Sequence, residues 1–103
     1  MNEFKIKVIS SSWVAAEARA VLAGNFGNSI EYIKARHLKM DSLIQELRDD
    51  KKLFIIFYKN LDIEYYNKFT SRALNKNVYD QLFVYGFDTD RLKEILKRVC
   101  YEN

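Results

Sequence analysis

The sequence predicts one small α/β domain, residues 1–103, in which helices pack on a mostly parallel four-stranded sheet. Predicted strands and helices alternate in the order β-α-β-α-β-α-β-α, and this alternation favours parallel strands joined by right-handed crossovers. One predicted strand, LFIIFY at residues 53–58, is apolar throughout, which is typical of a strand buried on both faces. Proline is absent and glycine numbers only three, which argues against a turn-rich β-sandwich.

The first predicted strand covers residues 4–8, where apolar side chains alternate with Lys5 and Lys7. The two lysines share one face of that strand. In a doubly wound sheet the first strand lies centrally, so either this face is incompletely covered or a lysine stem reaches past a neighbour to water. A two-layer α+β sandwich therefore stays open as the alternative fold.

An alanine-rich segment, residues 13–23, predicts the first helix. Its only charged residues are Glu17 and Arg19, so we expect it to be buried on most sides and to end at Gly24. The serines that precede it favour a helix cap, provided by Ser11 or Ser12.

The stretch SIEYIKARH, residues 29–37, predicts an edge strand, with a poorly patterned helix as the alternative. The direction of this strand stays open. Asp41 is then expected to cap a short helix. Three apolar residues share one face of that helix: Leu43, Ile44 and Leu47.

Two further helices flank the last predicted strand, LFVYGF at residues 82–87. Asp62 is expected to cap the third helix, and Asp88 or Thr89 the fourth. One arc of the third helix carries Ile63, Tyr66, Phe69, Thr70, Ala73 and Leu74. The apolar arc of the fourth helix carries Leu92, Ile95, Leu96, Val99 and Cys100.

The charge distribution is mildly basic, with a net charge of +3. Residues 1–50 carry seven basic and seven acidic side chains, whereas residues 51–103 carry ten basic and seven acidic ones. Because acids interrupt the bases throughout, the pattern counts against a dedicated nucleic-acid-binding protein.

Several features favour a cytoplasmic location. No apolar run approaches the ~20 residues needed to span a bilayer, and no signal peptide is visible at the start of the sequence. The single cysteine, Cys100, excludes an internal disulfide and is expected to be a buried packing residue. The frequent use of Asn, Lys, Ile and Tyr indicates an AT-rich genome, such as that of a phage or low-GC bacterium.

A ligand site is expected at the carboxyl ends of the strands, where open α/β sheets bind ligands. Candidate ligand-binding residues at that edge are Ser10, Ser11, Ser12, Lys59 and Asp88. A phosphate or nucleotide would be the ligand, held at the start of the first helix. The serine turn lacks the glycines that let a backbone approach a phosphate closely, however, so capping is the favoured interpretation.

The strand, small-residue turn and helix of residues 4–24 resemble the start of the IIB components of sugar phosphotransferase systems. In that family a cysteine just after the first strand receives the phosphoryl group. Here the same region reads Ile9, Ser10, Ser11 and Ser12 and contains no cysteine. The residue that carries the family's chemistry is therefore missing.

The sequence identifies no catalytic or metal-binding constellation. His37 is the only histidine, and a general base needs an orienting partner and a nucleophile that no motif supplies. A zinc site needs clustered Cys and His ligands. Asp88 and Asp90 follow a buried strand, but a helix cap explains one of them. We therefore predict neither a cofactor nor a metal, and the sequence favours a protein that is not an enzyme.

Tyrosines beside basic side chains on the last two helices predict a binding surface, because such surfaces combine Tyr with Arg and Lys. The candidate partner-binding residues are Tyr65, Lys68, Arg72, Lys93, Lys97, Arg98 and Tyr101. We expect a small regulatory protein that binds a larger protein through this surface. The alternatives are nucleic-acid binding by the same surface, or a ligand site or enzyme at the strand ends.

Overall fold

The computed structural model describes residues 4–27 and 29–101, with only the backbone of residues 100 and 101. The strands are β1 (Lys5–Ser10), β2 (Ile30–Lys34), β3 (Leu53–Phe57) and β4 (Leu82–Val84). The helices are α1 (Ala16–Phe26), α2 (Met40–Asp49), α3 (Ile63–Asn75) and α4 (Thr89–Tyr101). Short 3₁₀ turns, Ala35–His37 and Tyr79–Gln81, precede α2 and β4.

The four strands form one sheet in the order β2-β1-β3-β4, and every neighbouring pair is parallel. Ile6 of β1 lies opposite Ile30 on one side and Phe54 on the other, so β1 and β3 are central. The α/β prediction is confirmed, and residues 30–34 form an edge strand parallel to the rest. The chain winds outward from β1 to β2 and from β3 to β4, which places the topological switch point between β1 and β3.

Helices cover both faces of the sheet, so the two-layer alternative is wrong. One core joins α1 and α4 to alternate strand residues such as Ile6, Val8 and Ile56. The other joins α2 and α3 to the intervening residues, including Ile9, Ile55 and Phe57. Because β3 is buried at every position, its uniformly apolar sequence is explained by a helix on each side.

Lys7 explains how a central strand tolerates lysine. Its side chain is only 16% exposed, and its Nζ atom lies 2.8 Å from Glu46 of α2 and 3.9 Å from Glu31 of β2. Lys5 lies nearer the start of the strand, with its Nζ atom 3.8 Å from Asp50. The aliphatic stem of Lys7 thus packs beneath α2, while its ammonium group reaches carboxylates at the surface.

The start of α1 was predicted wrongly. The helix begins at Ala16, and its N-cap residue is Ala15, whose side chain makes no capping hydrogen bond. Neither Ser11 nor Ser12 therefore caps this helix. The preceding turn is held in a non-helical conformation by its own hydrogen bonds and by Asn60, whose Nδ2 atom lies 3.4 Å from the Trp13 carbonyl oxygen.

The end and the burial of α1 also differ from the prediction. The helix continues through Gly24 to Phe26, and the chain leaves it at Gly27, whose φ of 90° lies in the region that favours glycine. Its buried residues form a narrow stripe of Ala18, Leu22 and Phe26. Ala16 and Ala20 on the rest of the helix are exposed, because only one side of α1 packs against the sheet.

The predicted caps of the next two helices have different outcomes. Asp62 caps α3 as predicted, with its carboxylate accepting a hydrogen bond of 3.2 Å from the Tyr65 amide. Asp41 lies within the first turn of α2, where Lys39 is the N-cap residue. Its carboxylate instead binds Arg72 of α3 at 2.7 Å, so it links two neighbouring helices.

The last strand is shorter than the run LFVYGF predicted. It ends at Val84, and Gly86, with a φ of 79°, lies in the turn that follows. Phe87 is consequently 89% exposed rather than buried. The α4 arc is confirmed for Leu92 and Leu96, which are buried in the core.

Candidate functional site

A groove of about 610 Å³ lies at the free edge of β4 and at the carboxyl ends of β3 and β4. The strands contribute Phe57, Leu82, Phe83 and Val84. The helices contribute Ile63, Tyr66, Thr70 and Arg91. The connecting segments contribute Tyr58, Lys59, Leu61, Tyr79, Asp80, Phe87 and Asp88. Its volume falls within the range usual for binding sites, and its location agrees with the strand-end rule.

The backbone at the free edge of β4 is already hydrogen-bonded. The Tyr85 amide bonds to the Phe57 carbonyl oxygen on the β3 side, which turns the polar groups of Val84 outward. The Val84 amide donates to the Asp88 carboxylate at 2.8 Å, and the Val84 carbonyl oxygen accepts from the Asp88 amide at 2.9 Å. Val84 therefore offers no free backbone group to an added strand.

Arg91 completes this closed edge. Its Nη2 atom donates to the Leu82 carbonyl oxygen at 3.1 Å, and its guanidinium carbon lies 4.2 Å from the centre of the Phe83 ring. Its Nε atom lies 3.6 Å from Asp88. The loop after β4 and the start of α4 are thus fixed to the strand, which gives the groove a rigid side.

Large apolar side chains around the groove remain in water. Phe87 is 89% exposed, Ile63 65% and Tyr79 45%, and Leu74 lies further along α3 with 63% exposed. The predicted apolar arc of α3 therefore divides: its buried members are Phe69 and Ala73. Clusters of exposed apolar side chains mark interaction sites in folded proteins.

The charges that line the groove balance. Lys59 and Arg91 supply two positive charges, and Asp80 and Asp88 supply two negative ones. Burial raises the pKa of Tyr66, and the neighbouring Tyr79 and Asp88 raise it further. The Tyr66 hydroxyl therefore stays neutral at physiological pH and can both donate and accept a hydrogen bond.

The predicted ligand residues divide between two places. Lys59 and Asp88 line the groove, whereas Ser10, Ser11 and Ser12 lie at the switch point between β1 and β3.

The polar groups of the serine turn are engaged within the protein. Ser10 Oγ donates to the Ser12 carbonyl oxygen at 2.6 Å, and the Ser11 amide donates to Asn60 Oδ1 at 3.2 Å. Asn60 Nδ2 donates to Ser12 Oγ at 3.1 Å, and Ser11 Oγ accepts from the Asp62 amide at 2.9 Å. This turn therefore joins the loops that follow the two central strands.

The predicted partner-binding residues do not form one continuous surface. Residues of α3 and α4 pack into different cores on opposite faces of the sheet, so the seven side chains are divided between those faces. Four of them are exposed: Lys68, Lys93, Lys97 and Arg98. Arg72 pairs with Asp41, and the side chain of Tyr101, like that of Cys100, lies outside the described residues. Residues of both helices line the groove at the edge of β4: Ile63, Tyr66 and Thr70 of α3 and Arg91 of α4.

Tyr65 lies partly inside the protein. Its ring packs against Phe69, with 6.3 Å between ring centres, and its buried hydroxyl has no hydrogen-bond partner among the residues that the structure describes. Burial raises its pKa above the ordinary value of 10.0.

Replacing Tyr65 with phenylalanine is expected to leave the free energy of unfolding at pH 7 unchanged or to raise it by about 1 kcal/mol, because it removes an unpaired buried hydroxyl. As the pH rises above about 10, the unfolded chain releases this phenolic proton first, so the wild-type protein loses stability there that Tyr65→Phe retains. Urea unfolding at pH 7 and at a pH above about 10 measures the free energy of unfolding in both conditions. Tyr79→Phe, at an exposed tyrosine, is the control. A loss above about 1 kcal/mol at pH 7 would mean that the hydroxyl has a partner.

The remaining catalytic candidates are isolated. His37 is exposed at the end of a 3₁₀ turn. Across residues 4–27 and 29–101, no group of three His, Cys, Asp or Glu side chains is arranged to hold a metal ion. In the same part of the chain, no helix has the length and apolar character needed to cross a membrane.

Sequence reasoning missed Phe87, Tyr79, Thr70 and Arg91 as site residues. The run LFVYGF predicts a buried strand that includes Phe87, although Gly86 beside it indicates a turn. An aromatic residue in a turn that follows a buried strand is exposed at the strand-end edge, and this pattern could have identified Phe87 as a site residue. No protein-family model, curated protein or solved structure matches this chain, so its geometry alone carries the functional argument.

Proposed function

We propose that this protein is a non-enzymatic binding module that holds apolar side chains of a larger protein in the groove beside β4. The observation that carries the proposal is the exposure of Phe87, Ile63 and Tyr79 around that groove. Aromatic and large aliphatic side chains next to a concave surface are the usual anchors of protein interfaces. Like the surface predicted from the sequence, the proposed binding surface includes residues of α3 and α4, but it lies at the edge of β4.

The engagement of the polar groups supports binding over catalysis. Asp88 and Arg91 are occupied in holding the edge of β4, and the Lys59 ammonium lies 5.9 Å from the centre of the Tyr58 ring. A nucleophile needs a base within hydrogen-bond distance, and no such pair lines the groove among the described residues.

Balanced charge supports a protein partner over a nucleic acid. Backbone phosphates are bound by an excess of lysine and arginine, whereas the groove pairs Lys59 and Arg91 with Asp80 and Asp88. Regulation of that partner, a cytoplasmic setting and a phage or bacterial origin belong to the same proposal.

The closed edge of β4 supports recognition by side chains. A partner strand would need free backbone groups, and those of Val84 are bound to Asp88. The partner therefore presents an apolar surface, such as one face of a helix.

Photo-crosslinking tests where the partner lies. A benzophenone amino acid replaces Phe87 in one variant and Val21 in another, because Val21 is an exposed apolar residue on α1, 50% exposed and outside the groove. After irradiation in an extract of the native host, we expect one protein to be joined to position 87 and not to position 21. Equal labelling at both positions, or none at position 87, overturns the proposal.

Substitution then measures the contribution of the groove. The double variant Ile63→Ser with Phe87→Ser is expected to weaken binding of the crosslinked protein by about thirtyfold or more, as removal of interface anchors does. Val21→Ser is the matched control and should bind like wild type. Since Ile63 and Phe87 are exposed, unfolding curves should be nearly unchanged, and retained affinity in the double variant would contradict the proposal.

A further inference from the structure

Arg19 of α1 lies against two aromatic rings, at the opposite edge of the sheet from the groove. Its guanidinium carbon is 4.7 Å from the centre of the Trp13 ring and 4.2 Å from that of the Tyr32 ring. Trp13 follows β1, and Tyr32 belongs to the edge strand β2. A guanidinium that packs against two aromatic rings loses orientational freedom, so its position is largely set before any ligand arrives.

No described residue hydrogen-bonds to the terminal nitrogens of Arg19. Its Nε atom donates to the Val14 carbonyl oxygen at 3.3 Å, which fixes the inner side of the guanidinium. Within the described part of the chain, no carboxylate lies within ion-pair distance of it. Burial raises the pKa of Tyr32, partly offset by the Arg19 charge, so the phenol stays neutral and leaves the cation uncompensated.

The surroundings extend this site in two ways. Trp13 remains 68% exposed although Arg19 lies against it, so a second flat ring has access to the indole. Lys34 follows Tyr32 by two residues and therefore shares its face of β2, where it adds a second positive charge. An exposed indole beside a fixed guanidinium combines stacking with recognition of an anion.

We propose that Trp13, Arg19 and Tyr32 form a binding site for a small ligand that joins a flat aromatic ring to a phosphate or carboxylate group. The two terminal nitrogens of Arg19 bind the oxyanion in the bidentate geometry that guanidinium favours, and the ligand ring stacks on Trp13. The site is separate from the groove beside β4, and it uses none of the hydroxyls of the serine turn.

The fluorescence of Trp13 reports on this site directly, because Trp13 is the only tryptophan in the chain. Purified protein is titrated with AMP and with nicotinate, which carry a phosphate and a carboxylate group on an aromatic ring system. Adenosine and nicotinamide are their uncharged counterparts, and inorganic phosphate lacks the ring. We expect saturable quenching by AMP, nicotinate or both, and weaker binding of all three controls. A response to AMP alone assigns a phosphate ligand, and one to nicotinate alone assigns a carboxylate.

Variants of Arg19 decide whether the guanidinium is responsible. Arg19→Gln is expected to weaken binding by about tenfold or more, since a charge-assisted pair of hydrogen bonds is lost. Arg19→Lys keeps the charge without the planar fork and should recover only part of the affinity. Arg48→Gln, on α2 across the sheet, is the matched control for net charge and should bind like wild type.

Three results would overturn the proposal: no saturable response to either anion, an equal response to the uncharged counterparts, or full affinity in Arg19→Gln. Thermal unfolding of each variant shows that it is folded, and Arg19→Lys decides the outcome where Arg19→Gln does not fold.

Discussion

Phe57→Ala is expected to lower the free energy of unfolding by about 3–5 kcal/mol, the range measured for removing a buried phenylalanine. Phe57 is 2% exposed in the central strand β3, and its ring packs edge-on against Tyr66 and Phe69, with centres 5.1 and 5.3 Å away. The substitution loses the transfer free energy of the ring and leaves a cavity that a sheet between two helical layers cannot close.

Phe87→Ala is the matched control for this experiment, because it removes the same side chain from a position that is 89% exposed. Its free energy of unfolding should lie within about 0.5 kcal/mol of the wild-type value. Urea unfolding of both variants gives the comparison. Similar losses in the free energy of unfolding for Phe57→Ala and Phe87→Ala would show that Phe87 is buried and that the groove is closed in solution.

Gln81→Leu is expected to lower the free energy of unfolding by about 2–4 kcal/mol, since it leaves the buried carbonyl groups of Leu47 and Leu53 without this donor. The Nε2 atom of Gln81 lies 3.0 Å from each of three carbonyl oxygens, those of Leu47, Asp50 and Leu53. These belong to α2, to the turn after it and to β3, so one amide joins three segments just before β4 begins.

Gln45→Leu provides the matched control for Gln81. Its side chain lies on the exposed face of α2 and donates to Asp49 one turn away at 3.0 Å. We expect a change within about 0.5 kcal/mol. If Gln81→Leu were as mild as this control in urea unfolding, the carbonyl groups of Leu47 and Leu53 would have found other donors, and the role proposed for Gln81 would be wrong.

These two predictions differ in how far the sequence anticipated them. The run LFIIFY identified Phe57 as a core residue, because an apolar segment of that length with β-branched and aromatic residues fits a strand buried on both faces. Nothing in the local pattern distinguished Gln81, a polar residue in a turn. Its importance arises from carbonyl groups that lie 28 to 34 residues earlier in the chain.

The candidate site was anticipated only in part. The strand-end rule selected Lys59 and Asp88, both of which line the groove. The same rule selected the serine turn, but hydrogen bonds with Asn60 occupy its polar groups. The helical pattern of α3 identified apolar residues correctly and still placed Ile63 in the core, although it is 65% exposed. Periodicity reports which side of a helix is apolar and not whether another element covers all of that side.

The sequence by itself determined the alternation of strands and helices, the uniform burial of β3 and the apolar faces of α2 and α4. Each of these follows from the spacing of residues within one element. Only the tertiary structure decided the direction of β2, the order β2-β1-β3-β4 and the division of the helices between the two faces. It also decided the closed edge at Asp88 and the packing of Arg19 against Trp13 and Tyr32. Those features depend on how elements pack against one another, and the spacing of residues within a single element does not encode that.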